Sequence, residues 1–218
     1  MHRKIIDITE GISPETPVYP GDPETVIESV ASVDFEGYAV SRVTFGTHTG
    51  THVDAPAHIF EGGSHVEKIP LESLMGLALL LDLSFVSADI SAEDLDLALE
   101  SFDGDADDAC ILLIRTGSSC DNEDRSSPAD QIFLRSDAGS WIVDHGFRTV
   151  GIDTLSVDIA PSLENHRLFL ENGINIVENL NLCEAESGLY SFICLPLKLH
   201  GCEAAPARAI LLDKAYFV

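Results

Sequence analysis

Apolar and polar positions alternate with period two near the start of the chain and fuse into solid apolar runs further on. Residues 4–8 read as a first strand. Residues 25–33 and 38–45 alternate cleanly and predict a strand pair turning at 35–37. Residues 70–76 predict a short helix. The run at 77–84 has strand length and predicts burial on both faces, an awkward setting for Asp82. A helix starts at Ser91 with a capping box to Asp94 and an apolar stripe at 95, 98, 99 and 102. Residues 110–117 predict a core strand, 138–147 a helix closing at Gly146, and 148–158 another buried strand. A helix over 165–172 stops at Gly173 and leads into a strand through 180. Two further strands fill the C-terminal part. Hairpins early and crossovers late predict a mixed α/β domain, one unit spanning 1–218.

Candidate chemistry concentrates at 46–58, GTHTGTHVDAPAH, which places His48, His52, Asp54 and His58 within eleven residues. Gly50, the threonines and Pro56 disfavour a helix. A strand puts His48, Gly50, His52 and Asp54 on one face. Pro56 ends such a ladder and lets His58 swing back toward the same point. Two imidazoles and a carboxylate match the ligands of a divalent metal such as zinc or manganese. His58 then suits a second-metal ligand or a general acid/base.

Composition narrows the partners. Lys and Arg number 12 against 37 Asp and Glu, a formal net charge of −25. Such a surface excludes nucleic acid and anionic membranes as partners and fits a small-molecule substrate, in a high-salt cytoplasm or simply in a very soluble enzyme. No signal-peptide pattern and no 18-residue apolar stretch occurs, so no membrane segment is expected. Five cysteines without a CxxC spacing predict reduced thiols in a cytoplasmic protein.

The stretch HTGTHVDAPAH resembles the HxGTHxDxPxH signature of the metal-dependent cyclase family, which includes bacterial kynurenine formamidases and isatin hydrolases. The resemblance runs across nearly the whole chain. It includes PVYPGDP at 17–23, the RTG turn after the 110–117 strand, and Asp153, Ser156 and Asp158 in a GxDxxSxD run. NHRLFLENGINIVENL and LPLKLHGCEAAPARAIL also match, with Arg208 read as a structural ion-pair partner. It implies the swivelling β/β/α fold, a homodimer or homotetramer, and a lid over 118–130. It also implies that His166 and Glu178 complete the metal site, with one or two ions, zinc before manganese. The implied reaction is hydrolysis of an aryl formamide, N-formylkynurenine to kynurenine and formate, a step of tryptophan catabolism. Cyclic amide or lactone hydrolysis is the alternative, and a metal-holding binding protein without turnover is a third reading. Tyr19 stands where kynurenine formamidases carry tryptophan. Tyr19, Phe45 and Phe60 are the expected substrate-binding walls, with Trp141 a further candidate.

Overall fold

Eight strands share one mixed sheet, and seven of them close into a barrel. This computed structural model describes residues 5–120, 131–159 and 161–213. Strand β1 is Ile5–Asp7, and β2 (Val26–Ala31) and β3 (Val40–Thr44) form a separate antiparallel pair. Between these two lies the four-residue helix α1 (Val33–Glu36). Then come β4 (His52–Asp54), β5 (Met75–Asp82), helix α2 (Ala92–Glu100), β6 (Ile111–Arg115) and α3 (Ser136–Asp144). The remainder is β7 (Thr149–Ile152), α4 (Glu164–Glu171), β8 (Asn175–Glu178), β9 (Gly188–Pro196) and β10 (Ala204–Asp213).

Strands β5, β6, β7 and β8 run parallel. β4 pairs antiparallel with β8, β10 with β4, and β9 with both β10 and β5, which closes the ring; β1 pairs with the far part of β10. The mixed α/β expectation is met.

Strand period decides which residue goes where. On β5, Ala78 and Leu80 point into the barrel, while Leu79 and Leu81 point to the layer covered by α2, α3 and α4. β6 repeats the split, with Ile111 and Leu113 inward and Leu112 and Ile114 outward. Both faces of the parallel strands are therefore apolar, as their solid runs require. Asp82 escapes burial at the end of β5, where Arg115 pairs with it through two nitrogens. Helix α2 carries the capping box, Asp94 N–H donating to Ser91 Oγ and Ser91 N–H to Asp94.

Several expectations need correction. Residues 47–51 are a turn, not a strand; only His52–Asp54 is extended. Gly50 adopts φ 63°, and a Cβ there would meet Ile12 3.0 Å away, so the chain reverses where alternation suggested a ladder. The helix expected over 70–76 is a single 3-10 turn at Leu71–Ser73, because Met75 already pairs with β9. The strand expected through 158 ends at Ile152, where the Asp153 carboxylate accepts from Thr116 N–H, Thr116 Oγ and Ser119 Oγ and draws the chain out of the sheet. Of the lid expected over 118–130, residues 121–130 lie outside the described residues.

Candidate metal centre

The barrel wall where β4 meets β8 brings the acidic and imidazole side chains together. His52 and Glu178 are direct register partners across that pair. His52 and Asp54, two apart on β4, share a face, as strand period requires. Glu178 ends β8, and Asn179 after it sits at φ 58°, the one left-handed residue besides glycines among the described residues. That kink is held by Thr51 Oγ1 donating to Asn179 O (2.5 Å) and by Asn179 N–H donating to Thr154 O (2.9 Å).

His166 arrives on the first turn of α4. The N-cap residue Leu163 has no capping side chain; beside a long contact from Glu164 N–H to Ser162 Oγ (3.4 Å), Asp158 reaches in from the preceding loop. Its Oδ1 accepts from Asn165 N–H and Asn165 Nδ2, and its Oδ2 from His166 N–H (2.9 Å) and His166 Nδ1 (2.8 Å). One carboxylate thus caps the helix and turns the imidazole so that Nε2 faces the barrel. His52 is aimed likewise, its Nδ1 held at 2.9 Å from Gly50 O.

Asp54 and Glu178 each face two imidazoles through different oxygens. His52 Nε2 lies 3.5 Å from Asp54 Oδ1 and 3.3 Å from Glu178 Oε2; His166 Nε2 lies 3.5 Å from Asp54 Oδ2 and 3.3 Å from Glu178 Oε1. His48, on the turn rather than the strand, adds Nδ1 at 3.0 Å from Asp54 Oδ1. His58 ends the 3-10 turn Pro56–His58, which swings it back over the cluster, its ring 4.3 Å from that of His48 and 5.5 Å from that of His166. Two donor groups have their atoms within 4.8 Å of one another: His48, Asp54 and His58, and His52, Asp54 and Glu178.

The donors fit a divalent ion. Asp54 is fully buried, yet neither of its oxygens has a hydrogen-bond partner, and His52 Nε2 is equally orphaned. Buried polar atoms left so would be costly. Cation-binding imidazoles and carboxylates converging on one point account for them.

Electrostatics agree. Burial alone would lift the Asp54 carboxyl, but the imidazoles of His166, His48 and His52 hold it well below the ordinary range. Burial likewise opposes ionisation of Glu178, and the charge of His166 still draws it down to about 2. His52 reaches about 9 because contact with Glu178 and the charges of Asp54 and Glu178 outweigh its burial; Glu178, Asp158 and Asp54 do the same for His166. His58 goes the other way. Burial lowers it, and the imidazoles of His48 and His166 add to the effect against the pull of Asp54.

A pH prediction follows. A histidine raised in the fold adds stability that is complete below its ordinary 6.5 and is lost as pH climbs through the folded value, about 9 for His52. Lowered Asp54 and Glu178 add stability that is lost only on acidification. Metal-free protein should therefore melt at a lower temperature at pH 10 than at pH 7. Metal-loaded protein, in which a bound ion would keep these imidazoles neutral, should lose less over that interval. Melting curves with and without chelator check this; equal losses in the two forms would contradict it.

Beside the cluster lies a cavity of about 190 Å³, whose walls include Tyr19, Asp22, His58, Leu155, Leu163 and Asn179. His48, His166 and Glu178 also face it. Phe45 and Phe60 are not among its lining residues. Phe60 packs toward the helix layer with the Arg167 guanidinium over its ring, and Trp141 is a buried residue of α3 itself, donating from Nε1 to Asp96 on α2. Arg208 pairs with Asp7, the structural role expected of it. Sequence reasoning gave no role to Asp22, and none to Asp158 as the partner of His166. The only signal for Asp158 was the GxDxxSxD run, which carries no role by itself.

Known proteins resemble this chain over nearly its whole length. Residues 6–159 match the family described as putative cyclase. The kynurenine formamidase of Salinibacter ruber is 34% identical over 213 residues, covering 96% of this chain and 97% of that protein. The kynurenine formamidase of Bacillus cereus is 33% identical over 210 residues, 94% and 96% of the two. A solved structure described as a potential metal-dependent hydrolase with cyclase activity superimposes with a TM-score of 0.81 at 34% identity, covering 97% and 98%. Isatin hydrolase A from Labrenzia aggregata shares the fold, with a TM-score of 0.84 at 21% identity over 97% and 94%. The chain belongs to the cyclase family.

Proposed function

We propose that this chain is a metal-dependent hydrolase of aryl formamides that converts N-formylkynurenine to kynurenine and formate. The observation that carries it is the pair Asp54 and Glu178, each facing both His52 and His166 beside a cavity of one-ring size. A cavity of about 150 Å³ admits benzene, so 190 Å³ suits a single substituted ring. Relatives of this length and identity bearing the name kynurenine formamidase support the substrate.

His48, His52, Asp54, His166 and Glu178 are the proposed ligands. Two sharing carboxylates favour two ions, and the nitrogen-rich set favours zinc over manganese. When bound, the metal supplies Lewis-acid polarisation and acidifies water. The protein's own groups do the rest. Tyr19, Leu155 and Leu163 pack the ring and exclude solvent. Asp158 and Gly50 O fix the rings of His166 and His52 in place. His58, kept neutral by burial, takes the proton released as water adds to the formyl carbon. It then returns that proton to the aryl nitrogen as the C–N bond breaks, so that amine and formate leave.

Tyr19, in place of tryptophan, favours a second reading, hydrolysis of a cyclic amide or lactone in the same cavity. The five thiols are free, which suits a cytoplasmic enzyme. A homodimer or homotetramer is supported by the β2–β3 pair. Val26, Ile27, Val33, Phe35, Tyr38 and Val43 on this arm are 45–89% exposed, and a two-stranded sheet without a covered face is marginal alone.

Metal-replete protein should hydrolyse N-formylkynurenine, and chelation should abolish the turnover. Metal-containing protein that leaves it intact would overturn the substrate assignment and move the test to cyclic amides and lactones.

A further inference from the structure

The cavity holds one acidic group that the hydrolytic chemistry does not use. Residues Tyr19-Pro20-Gly21-Asp22 form a tight turn: Asp22 N–H donates to Tyr19 O (2.9 Å), proline occupies the second position, and Gly21 takes φ 102° at the third. This is a type II turn, and the third position is one that glycine fills without strain. The turn is anchored next to the histidine stretch, since Pro23 lies 3.2 Å from where a Cβ on Gly46 would be. Both ends of the turn, Tyr19 and Asp22, line the cavity.

The other carboxylates lining the cavity are engaged. Asp158 accepts from His166 and Asn165; Glu178 faces His52 and His166 and accepts from Val157 N–H. Asp22 is half-buried and has neither a hydrogen bond nor an ion pair from its side chain among the described residues. Among the described residues, no lysine or arginine lines the cavity. Among the described residues the wall therefore carries one carboxylate without a partner, partly shielded from water, where a cation would be bound more strongly than at an open surface.

We propose that Asp22 determines specificity by pairing with the ammonium group of a substrate that carries an amino-acid side arm on its ring. The proposal rests on the aryl-formamide reading and deepens it. Tyr19 packs the ring, and Asp22, three residues on along the same rigid turn, meets the ammonium. The adjoining carboxylate finds no lysine or arginine among the described residues of the cavity wall and is left toward solvent. A plain formanilide or a neutral cyclic amide has no group for Asp22, so binding leaves that carboxylate partly desolvated and unpaired. Selectivity for zwitterionic formamides thus comes from a charge placed away from the reacting bond.

The test compares kcat and KM for N-formylkynurenine and for formanilide, in metal-loaded wild type, Asp22→Asn and Asp22→Glu, with metal content measured in each. Wild type should favour N-formylkynurenine. In Asp22→Asn the preference, taken as the ratio of kcat/KM values, should fall by about tenfold to a hundredfold, as expected for losing a hydrogen bond between charged groups. The loss should lie in KM rather than kcat, and Asp22→Glu should restore part of it. An unchanged ratio in Asp22→Asn, or an equal fall in kcat for both substrates, overturns the proposal; the latter would make Asp22 a support of the loop. Wild type that cleaves formanilide as well as N-formylkynurenine overturns this proposal alone. Wild type that cleaves neither overturns the aryl-formamide reading on which it stands.

Discussion

His58→Ala should keep its metal and lose about a hundredfold or more of its turnover, the range for removing a positioned acid–base group. That loss corresponds to roughly 3 kcal/mol or more of transition-state stabilisation. The expectation rests on how His58 differs from its neighbours. His52 and His166 each have one ring nitrogen tied to an oxygen behind them and the other aimed between Asp54 and Glu178. His58 sits on a 3-10 turn above the cluster, against the rings of His48 and His166, and lines the substrate cavity. Burial and the two imidazoles keep it neutral, so it is ready to accept a proton. Metal analysis beside the kinetics separates the roles, because His58 also belongs to a donor group with His48 and Asp54. A matching fall in metal content would make His58 a ligand. Full metal with full turnover would remove it from the chemistry. The His58→Gln variant guards against a folding artefact by keeping a polar side chain of similar reach.

The difference between His58 and His166 also shows what the chain reveals about itself. His48, His52, Asp54 and His58 are close in sequence, and any compact path through that stretch keeps them near one another. Their arrangement was harder to read. Alternating threonines and histidines imitate a strand, and only the left-handed Gly50, packed against Ile12, shows that the chain reverses before β4. His166 and Glu178 carry no local signal. They join the cluster because the sheet closes, pairing β4 with a strand more than 120 residues further along (His52 with Glu178). Resemblance could point to these residues; periodicity could not. The double duty of Asp158, capping α4 and orienting His166 from a loop, is beyond any pattern of spacing. The solid runs of β5 and β6 and the capping box of α2 were legible because burial on both faces and capping are local demands. The alternation of β2 and β3 announced the strand pair, but it did not announce that Val26, Ile27, Val40 and Val43 would lie exposed in the single chain.

Asp54→Asn should weaken metal binding by more than about a hundredfold, beyond the tenfold to hundredfold that loss of an outer orienting group costs. The argument is the number of groups that depend on this carboxylate. Its Oδ1 faces His48 and His52, its Oδ2 faces His166, and it has no hydrogen bond that would explain its complete burial. Asparagine keeps the shape but removes the charge that balances the three imidazoles and replaces one oxygen donor with an amide nitrogen. The natural control is Asp158→Asn, which loosens His166 without touching the ligand set and should stay within the smaller range. Metal affinity measured by competition with a chelator ranks the two variants, and a melting curve of each metal-free variant shows whether the fold is intact. Full metal occupancy in a folded Asp54→Asn variant would remove Asp54 from the ligand set. A larger loss in Asp158→Asn than in Asp54→Asn would mean that the helix-borne histidine, not the carboxylate on β4, is the anchor of the site.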